Sequence, residues 1–121
     1  MRTEVRKAGD AAEFDTSERC HISEIANDDG DESVSIARAR VEPGVTTAWH
    51  RLHGIDERYL ILSGRGRVQL GDSEPLEVEP GDVVRIPAGV RQRIANAGIE
   101  DLVFYAICSP RFNADRYEAM E

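Results

Sequence analysis

Two ionisable side chains interrupt otherwise apolar faces near the middle of this chain. Taking alternate residues as one face of an extended strand, His50 falls with Ala48 and Leu52, and Glu57 falls with Tyr59 and Ile61. Gln92 repeats the pattern with Ile94 and Asn96. An imidazole, a carboxylate and an amide on such faces form either a buried polar site or a set of groups that satisfy one another, because an interior must stay mostly apolar to fold. Tyr59 shares the face of Glu57, where its hydroxyl donates to a substrate oxygen or finds a partner within the core. His53 lies off the parity of His50, so a regular strand turns it outward, whereas a bulge at Gly54 would turn it in. Arg38 is a further candidate: inside, its guanidinium would pair with a carboxylate or phosphate, and outside it is solvated. Trp49, opposite in parity to His50, reads as an outward aromatic at a subunit contact.

Those faces need strands to carry them. Short runs rich in Val, Ile, Thr and aromatics recur between Gly, Pro and Asp, and helical periodicity is scarce. The pattern predicts strands over residues 20–25, 33–41, 46–52, 58–62, 66–70, 76–78, 82–86, 92–97 and 102–108. Turn chemistry separates them, as in Glu42-Pro43-Gly44, Ser63-Gly64, Gly71-Asp72-Ser73 and Glu79-Pro80-Gly81-Asp82. Close spacing of this kind suits an all-β sandwich or barrel. Residues 1–19 are polar and poorly patterned and read as an arm, 20–112 as the barrel and 113–121 as a tail, with one short helix packed outside within 111–121. The acidic cluster at 28–32 lacks the ligand order of a calcium loop and reads as a solvated hairpin tip.

A chain of 121 residues supports one core. With 40% hydrophobic and 31% charged residues it has the material of a folded domain rather than a disordered one. Fifteen basic against twenty-three acidic side chains leave a net charge of −8, which repels phosphate backbones and anionic lipid, so neither nucleic acid nor membrane is an expected partner. No apolar run approaches the ~20 residues of a membrane span, and the first residues lack the apolar stretch of a secretory signal. The expected location is the cytoplasm. Cys20 and Cys108 form no disulfide framework or zinc motif and read as two buried thiols.

Two spaced motifs resemble those of the cupins. The first runs from Gly44 over five residues to His50, then from Glu57 over six residues to Gly64; the second runs from Gly81 over five residues to Pro87-Ala88-Gly89, then Gln92 and Asn96. The flanking stretches, Ser35-Ile36-Ala37-Arg38 into Pro43-Gly44 and the closing 102–112, are also similar to small cupins. The resemblance implies an antiparallel jelly-roll β-barrel, often with a metal inside and often paired into a homodimer. Some wording, Glu57-Arg58-Tyr59 among it, is similar to small cupins grouped with mannose-6-phosphate isomerases.

The chain departs from the family's usual metal set of two histidines one residue apart, a glutamate and a later histidine. Leu52 stands at the second position and Gln92 at the last, leaving His50 and Glu57 as direct matches and His53 as the nearest substitute. With His53 the expected ligands are His50, His53, Glu57 and Gln92, a borderline set that suits Fe, Mn, Ni, Co or Zn. Without it the set is weak, and the pocket holds water or an organic ligand. The implied function is a metal-dependent enzyme acting on a small organic molecule, of dioxygenase or sugar-phosphate isomerase type, with Tyr59 as proton donor. The alternative is a non-catalytic barrel that binds a small molecule.

Overall fold

Alternating side chains and strong turns give eleven short strands in the computed structural model, which describes residues 1–121. They are β1 (Glu13–Asp15), β2 (His21–Ala26), β3 (Ser35–Val41), β4 (His50–Leu52), β5 (Asp56–Ser63), β6 (Gly66–Leu70), β7 (Leu76–Val78), β8 (Val83–Ile86), β9 (Gln92–Asn96), β10 (Leu102–Ser109) and β11 (Tyr117–Ala119). All pair antiparallel, in one sheet ordered β1-β2-β3-β10-β5-β8 and another ordered β11-β4-β9-β6-β7. The chain crosses repeatedly from sheet to sheet, which is the jelly-roll arrangement that the resemblance to cupins implies. No helix is long and apolar enough to cross a membrane.

The space between the sheets is filled by inward residues of both, including Val41, Ile61, Val68, Ile94, Leu102 and Phe104, each at most 2% exposed. Burying one such side chain stabilises the fold by about 1.5–3 kcal/mol. A second cluster of Leu52, Ile55 and Cys108 closes one end of the barrel, with Phe112 and Tyr117 packed on it. The β5–β6 turn runs against the start of β10: Gly64 has φ +84°, and a Cβ there would stand 2.5 Å from the Asp101 carbonyl oxygen. Only glycine meets both demands.

The strand expected over 46–52 is regular only from His50 onward. Thr47 engages Ile94 twice, donating its N–H to the Ile94 carbonyl at 2.9 Å and accepting the Ile94 N–H on Oγ1 at 3.0 Å. The Ala48 N–H then turns to the Glu18 carbonyl at 3.0 Å. This break in the ladder frees the Ala48 carbonyl, which matters for His50 below. The sheets also reach beyond 20–112. Phe14 lies opposite Ile22 in β1–β2, and Tyr117 opposite Leu52 in β11–β4. In place of a tail helix there is one 3-10 turn, Ala114–Arg116, whose Asn113 side chain accepts the Asp115 N–H at 2.9 Å. The apolar body of Tyr117 then packs on the barrel end instead of extending a helix.

Candidate functional site

His50 and Gln92 lie directly opposite one another in the β4–β9 pair, and Glu57 is the second residue of β5 on the facing sheet. All three are buried, as is Tyr59. Strand parity therefore brings these four expected residues inside the barrel. A cavity of about 260 Å³ opens beside them, walled by His50, Glu57 and Cys108, by Glu18 and Glu24, and by Phe14, Ile22, Phe112 and Tyr117. A smaller void of about 40 Å³ lies deeper, sharing Glu18, His50 and Glu57 and adding Tyr59 and Phe104.

The imidazole of His50 is fixed on three sides. Its Nδ1 lies 2.9 Å from the Ala48 carbonyl oxygen and 3.4 Å from Glu18 Oε2, and its ring stacks on Tyr117 with centroids 5.0 Å apart. Both neighbours of Nδ1 only accept, so Nδ1 carries a proton and the neutral ring keeps its lone pair on Nε2. Tyr117 donates its hydroxyl to the same Glu18 oxygen at 3.2 Å, which ties the carboxylate in place. Burial, then the Glu18 charge, raises the Tyr117 phenol above its ordinary range.

Glu57 has the opposite character. Its Oε2 accepts the Cys108 thiol at 3.7 Å, and Oε1 has no hydrogen-bond partner. Burial pushes its pKa up to about 7, against the pull of His50 and the Gln92 amide, with Glu18 adding to the rise. Burial also drives the Cys108 thiol far up, helped by the Glu57 charge, so this cysteine is a neutral hydrogen-bond donor rather than a nucleophile.

Tyr59 and Gln92 are committed to each other: the phenol donates to Gln92 Oε1, and the Tyr59 ring packs on Phe104 at 4.4 Å. Gln92 walls neither void. Tyr59 reaches only the deeper one, with its phenol raised well above the ordinary range, first by burial and then by Glu57. Arg38 and Trp49 face outward. Arg38 pairs with Glu13 at 3.7 Å, while Arg91 and Arg93 lie over the Trp49 ring at 4.3 and 4.5 Å.

His53 is a correction to the expected ligand set. β4 keeps its alternation through Leu52, so His53 emerges outside, where its side chain is 50% exposed and Nε2 lies 2.6 Å from Glu118 Oε1. Gly54, at φ +71°, turns the chain toward β5 after His53 has already passed outward. Its freedom makes a corner, not a bulge.

Tested for a metal, the remaining residues do not form the expected donor set. No group of three or more His, Cys, Asp or Glu side chains comes close enough to share an ion. The Gln92 oxygen accepts from Tyr59, and the atoms the expected ligands leave free at the cavity wall are His50 Nε2 and Glu57 Oε1, one nitrogen and one oxygen where such sites use at least three protein donors.

The sequence reading missed Glu18 and Glu24. Glu24 carried a usable signal, since it shares parity with Cys20 and Ile22 and so interrupts an apolar face much as Glu57 does. Glu18 lies between β1 and β2, and only the fold brings it to His50.

Barrel and cavity together define a jelly-roll protein with an internal cavity. The chain belongs to the cupin family: the Cupin domain model matches residues 37–108. An uncharacterized protein of Methanocaldococcus jannaschii is 34% identical over 87 residues, 72% of this chain and 69% of that protein. Among solved structures, the barrel is similar to Streptomyces PAC13 with uridine, a protein described as a nucleoside dehydratase, at TM-score 0.82 and 17% identity over 100% of this chain and 93% of that one. It is also similar to a predicted oxalate decarboxylase of Thermotoga maritima, at TM-score 0.79 and 22% identity over 88% of this chain and 99% of that one. At such identities the likeness establishes the fold.

Proposed function

We propose that this cupin is an enzyme that moves protons on a small organic molecule held in the barrel, with His50 and Glu57 as its acid–base pair. The observation that carries the reading is that both side chains wall one cavity and each keeps one polar atom free. With Nδ1–H held by Ala48 and Glu18, His50 presents Nε2 as a base. Glu57, poised near neutrality by burial, gives or takes a proton at Oε1. A general acid or base is most effective when its pKa lies near the working pH. One group withdrawing a proton while the other protonates a departing hydroxyl or a carbonyl oxygen amounts to a dehydration or an isomerisation. The dehydratase on the same fold supports that class, as an analogy of scaffold.

The metal-dependent forms of the reading find less support here. An oxygenase site needs the second imidazole that His53 does not provide, and a sugar phosphate needs a cation, whereas no Lys or Arg walls the cavity. A homodimer remains part of the proposal. β1 and β8 leave unpaired edges, and Phe14 on β1 is 48% exposed, a combination that a second copy would cover.

The test is incubation with a panel of small hydroxylated and amine-bearing molecules in heavy water, followed by NMR and mass spectrometry. The parent incorporates deuterium at carbon or releases water from one of them, and His50→Gln and Glu57→Gln each lose at least about 100-fold in rate. Panel members that bind the parent and emerge unchanged would instead make the barrel a binding module.

A further inference from the structure

The cavity wall is acidic and aromatic at once. Glu18, Glu24 and Glu57 contribute carboxylates, Phe14, Phe112 and Tyr117 contribute rings, and no lysine or arginine answers them. Two of the carboxylates have an oxygen with no partner in the protein, Glu24 Oε2 and Glu57 Oε1, and Glu57 is only 8% exposed. Buried acceptors without donors are costly unless something supplies them.

The sheet keeps the two apart. Glu24 on β2 lies opposite Ala37 on β3, Ala37 opposite Ala106 on β10, and Ala106 opposite Tyr59 on β5, two residues along from Glu57. Three strand spacings put roughly 14 Å of sheet between the carboxylate-bearing strands. Ala37 and Ala106 wall the cavity between them, and their small side chains leave the trough open. His50 and Glu57 occupy one end, where the proposed chemistry falls. Glu24 stands at the other and takes no part in it.

We infer that the substrate is a small organic cation, an amine whose ammonium group is held by Glu24 while its opposite end meets His50 and Glu57. This rests on the proposed reading of the cavity as a substrate site. An ammonium supplies the donors that Glu24 Oε2 lacks. A carboxylate or phosphate in the same place meets three carboxyl groups and no cationic side chain. Glu24 is thus a specificity-determining residue.

Three probes of one size separate the possibilities: tyramine, tyrosol and 4-hydroxyphenylacetate, which share a phenol and end in an ammonium, a hydroxyl and a carboxylate. Calorimetric titration of the parent protein should give tyramine at least about tenfold tighter binding than tyrosol, a step of one decade in Kd, and no detectable binding of the acid. Glu24→Gln should abolish the tyramine advantage while tyrosol still binds, which shows the variant folded. The comparison among probes on the parent stands whether or not the variant folds. Equal affinity for amine and alcohol, no binding by either, preference for the acid, or a tyramine advantage that survives Glu24→Gln would overturn the inference. None of those results touches the acid–base reading, which falls only if proton exchange persists in the His50 and Glu57 variants or is never seen in the parent.

Discussion

The Glu57 carboxylate takes one hydrogen bond, from the Cys108 thiol 3.7 Å away, and leaves Oε1 buried without a donor. Cys108 and Glu57 lie directly opposite in the β10–β5 pair, so the weak donor is built into the register. A thiol stabilises a carboxylate far less than an N–H or a guanidinium does, and burial therefore decides the protonation of Glu57.

That relationship sets a pH dependence of stability. The folded pKa, about 7, lies above the ordinary 4.5, so the native state holds a proton that the unfolded chain has released between these values. Stability from this group is full below about 4.5 and falls as pH rises through 7. Glu57→Gln removes the dependence. Chemical denaturation of both proteins from pH 4 to 8 should show the variant gaining on the parent by roughly 3 kcal/mol across the window. A constant difference would mean that Glu57 titrates as an exposed carboxylate.

His50 should be a single tautomer. With the Ala48 carbonyl 2.9 Å and Glu18 Oε2 3.4 Å from Nδ1, the neutral ring carries its proton there. Nitrogen-15 shifts of labelled histidine should show Nδ1 protonated and Nε2 bare. Glu18→Gln should broaden or mix that signature, since it removes the charged acceptor that also anchors the Tyr117 hydroxyl.

Two substitutions near the first motif should part company. Gly64→Ala forces an L side chain into φ +84° and against the Asp101 carbonyl oxygen, and should cost about 1–3 kcal/mol of stability. His53→Ala removes an exposed partner of Glu118 and should leave the melting temperature and ligand binding unchanged. Thermal melts of both beside the parent check this pair.

Metal analysis tests the donor set. Protein purified without added metal should hold no stoichiometric transition metal, because of the expected ligands only His50 Nε2 and Glu57 Oε1 are free, Gln92 is bound to Tyr59, and no third carboxylate, thiol or imidazole comes close enough to join them. One equivalent of metal that disappears in His50→Ala would restore the metal-dependent reading.

The inward set of His50, Glu57, Tyr59 and Gln92 was legible because a strand has a period of two, and parity alone puts a polar residue in or out. The same rule applied to His53 gives the outward answer the structure shows. The family's habit of a second histidine argued for a bulge at Gly54, and the backbone there makes a corner instead. Glu18 was not legible, since its role depends on a loop meeting β4 across 32 positions of sequence. Nor was the commitment of Gln92 to Tyr59, which parity cannot distinguish from a place on the cavity wall. The edge strands β1 and β11 escaped notice because each sets a single aromatic among polar or small residues and acquires its pattern only through its partner.

The most direct test of the account is the titration of Glu57 itself. Carbon-13 NMR of the side-chain carboxyls in glutamate-labelled protein, with Glu57→Gln used to assign the resonance, reads its protonation from pH 3 to 9. A midpoint near 7 is the result that a buried acid–base residue facing His50 requires. A midpoint at or below 4.5 would leave Glu57 permanently ionised at neutral pH and contradict its role as a proton donor.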